Sequence, residues 1–278
     1  MAGTLYLCAT PIGNLEDMTY RAVRVLSEVS LIAAEDTRHS RKLLTHFDIH
    51  TPLISYHEHN KAEQGPRLLE RLAAGEDIAL VSDAGMPGIS DPGADLAAEA
   101  IEQGIVVTAL PGANAALTAL VCSGLDTTSF LFVGFLPKTT KKRREQLEEL
   151  TAIPQTLLFY ESPHRLRQTL REMIAAFGAE RKAAAGRELT KKFEEFIRGS
   201  LGEVAEHFTR CEPRGEFVLV LAGAPEAALK EAVSYGTPAQ EVAKLVALGV
   251  DSKQALKDVA LKLGLSKRDV YQAVLAEK

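Results

Sequence analysis

The run Ile78-Ala79-Leu80-Val81 is apolar without alternation, and it stops at Ser82-Asp83-Ala84-Gly85-Met86-Pro87-Gly88-Ile89-Ser90-Asp91-Pro92-Gly93. A short continuous apolar run is what a parallel strand buried on both faces requires. From Asp83 to Gly93 the chain holds two aspartates, three glycines and two prolines, and a helical pattern through Leu96, Ala97 and Ile101 begins at Ala94. Strand, glycine-rich loop and helix form the unit with which open α/β sheets build ligand sites outside their strands' carboxyl ends. Glycine lets backbone approach a ligand closely, and proline holds the loop pre-ordered. Asp83, at the strand end, is placed to accept hydrogen bonds from a ligand's ammonium, amide or hydroxyl groups. A plain βα connection with a helix N-cap uses the same residue types, but this stretch is far longer than a cap needs.

Further strands are predicted at Leu5–Ala9, Leu31–Ala34, Pro52–Tyr56 and Ile105–Leu110, separated by helical patterns. Residues 1–124 therefore read as an α/β domain with a mostly parallel sheet. Parallel strands would bring the loops Pro11–Asp17, Glu35–Ser40 and Asp83–Gly93 to one sheet edge, joined by Pro111–Asn114 and Tyr160–Arg165. Strands at Phe130–Phe135, Thr156–Tyr160, Ala183–Ala185 and Gly215–Leu221 make residues 125–224 a second α/β domain. From Pro225 the pattern is purely helical, so 225–278 reads as a small helical domain. Within it Val259–Val274, with a turn at Gly264-Leu265-Ser266, resembles a helix-turn-helix.

Several chemistries are excluded on sequence. Cys8, Cys122 and Cys211 are far apart and odd in number, which fits neither a disulfide framework nor a CxxC site. His57-x-His59 has no Cys or HExxH beside it, so no metal is expected. There is no GxSxG, and Pro11-Ile12-Gly13-Asn14 has one glycine where a dinucleotide fingerprint needs three. Glu35 does stand at about the distance of a ribose-binding acid, which keeps a dinucleotide enzyme as an alternative. With no basic leader and no long apolar segment, the expectation is a cytoplasmic protein with no membrane span. A formal net charge of −5 argues against a surface coated in nucleic acid. Basic residues do gather at Arg38–Lys42, at Lys138–Arg144 and at Arg187 with Lys191-Lys192. They are expected to converge at the cleft mouth, although Lys138–Arg144 also reads as a solvated helix start.

The motifs together resemble the bacterial ribosomal RNA small-subunit methyltransferase I family. They are Thr4-Leu5-Tyr6-Leu7 with Thr10-Pro11-Ile12-Gly13-Asn14-Leu15-Glu16-Asp17, Ala34-Glu35-Asp36-Thr37-Arg38, the Ser82–Gly93 stretch and Leu110-Pro111-Gly112-Ala113-Asn114. Phe159-Tyr160-Glu161-Ser162-Pro163-His164-Arg165, Gly186-Arg187-Glu188-Leu189-Thr190-Lys191 and Gly215-Glu216-Phe217-Val218 follow in the same order, the whole spanning Gly3 to Gly223.

That family belongs to the tetrapyrrole-methylase superfamily. The resemblance implies two α/β domains, the first sheet mostly parallel and the second mixed, with S-adenosylmethionine in the cleft between them. It implies 2′-O-methylation of a cytidine ribose near the decoding centre of small-subunit (16S) ribosomal RNA, within the assembled 30S subunit, by a homodimer. Carried over by motif, the cofactor-binding positions are Pro11, Ile12, Asp83, Met86, Ile89, Ala113, Asn114, Tyr160, Leu189 and Gly215. A ribose hydroxyl is a poor nucleophile and needs help to lose its proton. Glu161 and Glu188 are the candidate bases, with Arg187 and Lys191 as cations or phosphate contacts. Ser82-Asp83-Ala84-Gly85 stands where the porphyrin enzymes have a Gly-Gly-Asp-Pro type of loop, which argues against a tetrapyrrole substrate. Two alternatives remain open: a small-molecule or protein methyltransferase of the same superfamily, and a nucleic-acid-binding regulator that reads with the helical tail.

Overall fold

The computed structural model describes residues 2–225 and 237–276. Strand β1 (Thr4–Cys8) leads through a 3₁₀ turn (Leu15–Asp17) to α1 (Tyr20–Glu28), then β2 (Leu31–Ala34), α2 (Thr37–His46), β3 (Leu53–Ser55), α3 (Lys61–Ala73), β4 (Ile78–Val81), α4 (Gly93–Glu102), β5 (Val106–Leu110) and α5 (Ala115–Ser123). These five strands form one sheet in the order β3-β2-β4-β1-β5, parallel throughout. The reason lies in the apolar runs. Leu31, Ala33, Ile78 and Leu80 face a core closed by Leu68, Leu72 and Leu96, while Ile32, Ala34, Ala79 and Val81 face Ala22, Leu26 and Leu44 on the other side. Both faces are covered, so strand positions of both parities must be apolar.

The second sheet is built from β6 (Phe130–Phe135), β7 (Thr156–Glu161), β8 (Lys182–Arg187), β9 (Glu195–Ser200) and β10 (Phe217–Leu221), in the order β6-β7-β10-β8-β9. Only β6 and β7 run parallel, so the sheet is mixed, as expected. Helices α6 (Thr140–Glu149), α7 (Pro163–Phe177) and α8 (Leu201–Arg210) accompany it. Strand β9 is not among the expected strands, because its Glu-Phe-Ile-Arg-Gly-Ser run is half-exposed at a sheet edge and carries no clean alternation. Strand β8 extends beyond the expected Ala183–Ala185 to Lys182–Arg187, since Gly186 and Arg187 carry no strand signal.

Helix α5 decides how the two sheets are joined. Its Ala116, Ala119 and Leu120 are buried against Leu158, Ala184, Val218 and Val220, residues of the second sheet. A helix that closes the first α/β series thus packs on the second, and residues through Gly223 form one compact unit. The residues from Ala224 on form a second unit. In it α9 (Pro238–Ala247), α10 (Ser252–Leu263) and α11 (Lys267–Ala276) bury Val242, Ala255, Val259 and Val270 together. Gly264, left-handed at φ 63°, ends α10 and supplies the turn expected there. The helical pattern expected from Pro225 falls, for residues 226–236, outside the described residues.

The basic run at the start of α6 is divided in its roles. Lys138, Lys141, Lys142 and Arg144 are exposed, but Arg143 is only 4% exposed. Its guanidinium meets Glu172 of α7 in a two-pronged ion pair, Nε to Oε2 at 2.5 Å and Nη2 to Oε1 at 3.0 Å. The expectation that Lys138–Arg144 acts as one basic group is therefore corrected: Arg143 points inward and reaches no phosphate.

Candidate active site

A cavity of about 550 Å³ opens at the carboxyl ends of β1, β2 and β4, where parallel pairing places their loops side by side. The loops are tied to one another. Thr10 and Gly85 exchange backbone hydrogen bonds at 2.9 and 3.0 Å, and the Thr10 hydroxyl donates to the Ser82 carbonyl at 3.2 Å. The Asp36 amide donates to Asp83 Oδ1 at 2.9 Å, binding the second loop to the fourth. Within the Gly/Pro loop, Asp91 accepts from the amides of Gly88 and Gly93 at 2.9 and 2.7 Å. A Cβ on Gly93 would lie 2.7 Å from Asp91 Oδ1, so glycine is required there. Asp91 is the loop's internal fastening.

Of the cofactor positions expected from sequence, Ile12, Asp83, Met86, Ile89, Asn114, Tyr160 and Leu189 line the cavity. Pro11, Ala113 and Gly215 stand beside the wall and not on it. Asn114 has a task of its own, since its side chain accepts the Leu117 amide and caps α5. Gly215, left-handed at φ 80°, makes room for a side chain: a Cβ there would lie 2.4 Å from Glu188.

The expected catalytic residues divide. Glu161 and Lys191 reach the lining, whereas Arg187 and Glu188 stand behind it. The Glu161 carboxylate is saturated with donors: the Ser162 amide at 2.7 Å, Arg165 Nε and Nη2 at 3.0 and 3.1 Å, and the Thr169 hydroxyl at 2.6 Å. Arg165 donates onward to the Leu136 carbonyl at 3.0 Å, so this network pins the end of β6. Glu188 accepts from Lys191 Nζ and from the Glu216 amide, at 2.9 and 3.0 Å. Burial pushes the Glu188 carboxyl up, but these donors outweigh it and hold the group below its usual range. Arg187 donates to the Arg214 carbonyl and to Glu195. Lys191 also bridges to Glu216 at 2.9 Å, and its stem lies so close to Gly13 that a Cβ there would meet Lys191 Cγ at 2.3 Å. That contact joins the first loop to the second sheet across the cavity. Glu188 and Thr190 are non-glycine residues with left-handed φ of 48° and 66°. Glu188 is held in this conformation by Lys191 and the Glu216 amide, and the Thr190 amide donates to Glu194.

Glu35 and Phe135 are two of the lining residues that lie outside the expected site positions. Glu35 reaches the cavity from the loop after β2. Burial pushes its carboxyl above the ordinary range, and the charges of Asp83 and Asp91 add to this, while the Asp83 amide and His57 oppose it. The signal was available in Ala34-Glu35-Asp36, but spacing alone suggested only a ribose contact. The other is Phe135, which no pattern singled out. Among the described residues, no group of three or more His, Cys, Asp or Glu is arranged to hold a metal ion, and no helix is long and apolar enough to cross a membrane.

Comparison with known proteins places these features. A model of the family Tetrapyrrole (Corrin/Porphyrin) Methylases matches residues 4–205. The chain is 54% identical over 271 residues to the Ribosomal RNA small subunit methyltransferase I of Halalkalibacterium halodurans, covering 97% of this chain and 93% of that one. It is 47% identical to the protein of the same name from Bacillus subtilis (strain 168), over 98% and 94% of the two chains. In fold it is similar to uroporphyrin-III C-methyl transferase from Thermus thermophilus, solved in complex with S-adenyl homocysteine. That match has 19% identity and a TM-score of 0.56, over 79% of this chain and 97% of the other.

Proposed function

We propose a function from the premise that this chain belongs to the tetrapyrrole (corrin/porphyrin) methylase family: S-adenosylmethionine-dependent 2′-O-methylation of a cytidine ribose in small-subunit ribosomal RNA. The observation that carries it is the 54% identity, over 97% of the chain, to a relative named Ribosomal RNA small subunit methyltransferase I. The test is to map 2′-O-methyl groups in ribosomal RNA from cells with and without the protein. One methylated cytidine should disappear from the small-subunit RNA; an unchanged map would refute the reading.

The cavity suits the cofactor. Ile12, Met86, Ile89 and Leu189 offer apolar wall, and Glu35, Asp83 and Asp91 give that lining a negative character that favours a cationic ligand. When bound, S-adenosylmethionine supplies a methyl group already activated by a positively charged sulfur, so the protein needs no covalent intermediate of its own. The loops after β1 and β4 hold the cofactor, and the cleft walls exclude water. Asp83 uses one oxygen on the Asp36 amide and offers the other to the ligand. Asp83→Ala should therefore weaken S-adenosylmethionine binding at least about tenfold, the loss expected for one charge-assisted hydrogen bond. Calorimetry on a folded variant with wild-type affinity would remove Asp83 from the site.

Glu35, on the cavity wall, would be the group that accepts the proton of the ribose 2′-hydroxyl. Burial and the charges of Asp83 and Asp91 raise its carboxyl above the ordinary range, the direction that strengthens a carboxylate as a general base. Glu161 and Glu188 position other groups, the first holding Arg165 and the second holding Lys191. Lys138, Lys141, Lys142 and Arg144 are exposed cations that phosphates could meet. A second copy of the chain completes the enzyme as a homodimer acting on the assembled 30S subunit in the cytoplasm.

A further inference from the structure

Strand β6 pairs with β7 in regular register from Phe130 to Phe132, and then the register shifts so that Gly134, not Val133, stands opposite Phe159. Gly134 is left-handed at φ 72°, which lets the chain accommodate the extra residue. The shift has a consequence for one side chain, because strand residues alternate between faces. Without it Phe135 would stand opposite Glu161, on the face packed by α7. With it Phe135 stands opposite Tyr160 and lines the cavity.

The ring is held but not covered. Its centroid is 5.4 Å from that of Tyr160 in an edge-to-face contact, and Phe132 braces Tyr160 from 5.0 Å. The next residue, Leu136, is buried, and its carbonyl is fixed by Arg165. Yet Phe135 itself is 59% exposed. Its neighbours beyond Leu136 and Pro137 are the exposed lysines 138, 141 and 142 at the start of α6. A rigid exposed ring followed by cations is the pairing that single-stranded RNA uses, with a base stacked on the ring and phosphates on the cations.

We infer that Phe135 is the platform on which the base of the target nucleotide stacks while its ribose sits in the cavity. The inference rests on the RNA reading of the site. A base on Phe135 would hold the nucleotide unstacked from its neighbours and fix the distance of its ribose from Glu35. The residue therefore acts on substrate binding and leaves the cofactor's affinity alone.

The chain contains no tryptophan, so Phe135→Trp creates a unique fluorescent reporter. Its emission should be quenched by 30S subunits from cells lacking the enzyme and remain unchanged with S-adenosylmethionine alone. In kinetics, Phe135→Leu should raise KM for those subunits about 5- to 150-fold, the range for loss of one base–aromatic stack. The melting temperature and the S-adenosylmethionine Kd should hold, and Phe135→Tyr should restore KM. If the reporter is quenched by S-adenosylmethionine alone, or if Phe135→Leu raises the cofactor Kd instead of KM, the ring belongs to the cofactor and the inference is wrong. A wild-type KM in Phe135→Leu would show that the ring merely packs. If the wild-type protein leaves the RNA unmethylated, the functional reading itself fails and takes this inference with it.

Discussion

Replacing Glu35 by glutamine should lower the methylation rate by roughly 10²–10⁴-fold with little change in S-adenosylmethionine affinity. Glutamine keeps the shape and hydrogen-bonding capacity of the side chain but cannot accept the proton. The pH profile sharpens the expectation. Burial, then Asp83 and Asp91, raise the Glu35 carboxyl above its ordinary range. The acidic limb of kcat/KM should therefore lie above the usual carboxylate range, with activity lost as pH falls through it, and should vanish from the residual activity of Glu35→Gln. Stability carries the opposite sign. A carboxyl whose folded pKa is raised costs nothing below its unfolded value and costs most once pH exceeds the folded value. At neutral pH Glu35→Gln should thus be at least as stable as the wild type. A variant that loses activity only because it unfolds, or that turns over normally, would remove Glu35 from the chemistry. Glu161→Gln makes the contrast: its carboxylate accepts from Ser162, Arg165 and Thr169, so the change should cost stability before it costs chemistry.

Arg143→Ala should destabilise the protein by roughly 3–5 kcal/mol, because it leaves the carboxylate of Glu172 buried without its partner. Both side chains of the pair are 5% exposed, and Arg143 also donates to the carbonyls of Pro137 and Lys138 at 3.1 and 3.2 Å. Hydrogen bonds from Arg143 hold the Glu172 carboxyl below its usual range. The stability this provides is present above the unfolded pKa and is lost as pH falls through the lower folded value, so the stability deficit of Arg143→Ala should narrow toward acid pH. Replacing the exposed neighbours Lys142 or Arg144 by alanine should change stability by no more than about 0.5 kcal/mol. Denaturant titration separates these cases; an Arg143→Ala variant as stable as the wild type would mean that the pair is not closed in solution. The double variant Arg143→Met/Glu172→Leu should recover most of the loss, since paired apolar groups leave no charge stranded.

The two sites show what a linear pattern can and cannot carry. Ile78–Val81, Leu31–Ala34 and the glycine-rich stretch after them determined a parallel sheet and the edge at which its loops gather, because burial on both faces admits only apolar strand residues and close loop packing admits only glycine at Gly93. Strand β9 was illegible for the converse reason: a half-exposed edge strand imposes no such rule on its sequence. Which side chains of a motif face the cavity was decided by tertiary contacts. Glu161 and Glu35 look equivalent as isolated acids, and only the four donors around one and the acidic neighbours of the other separate them. Arg143 cannot be told from Lys142 or Arg144 along the chain, because one helical turn carries all three and only the position of Glu172 on α7 selects which one is buried. Phe135 owes its place to a single register shift at Gly134. Periodicity reports the face of a strand only while the register is regular, so one inserted residue reverses the face in a way that pairing with β7 alone reveals.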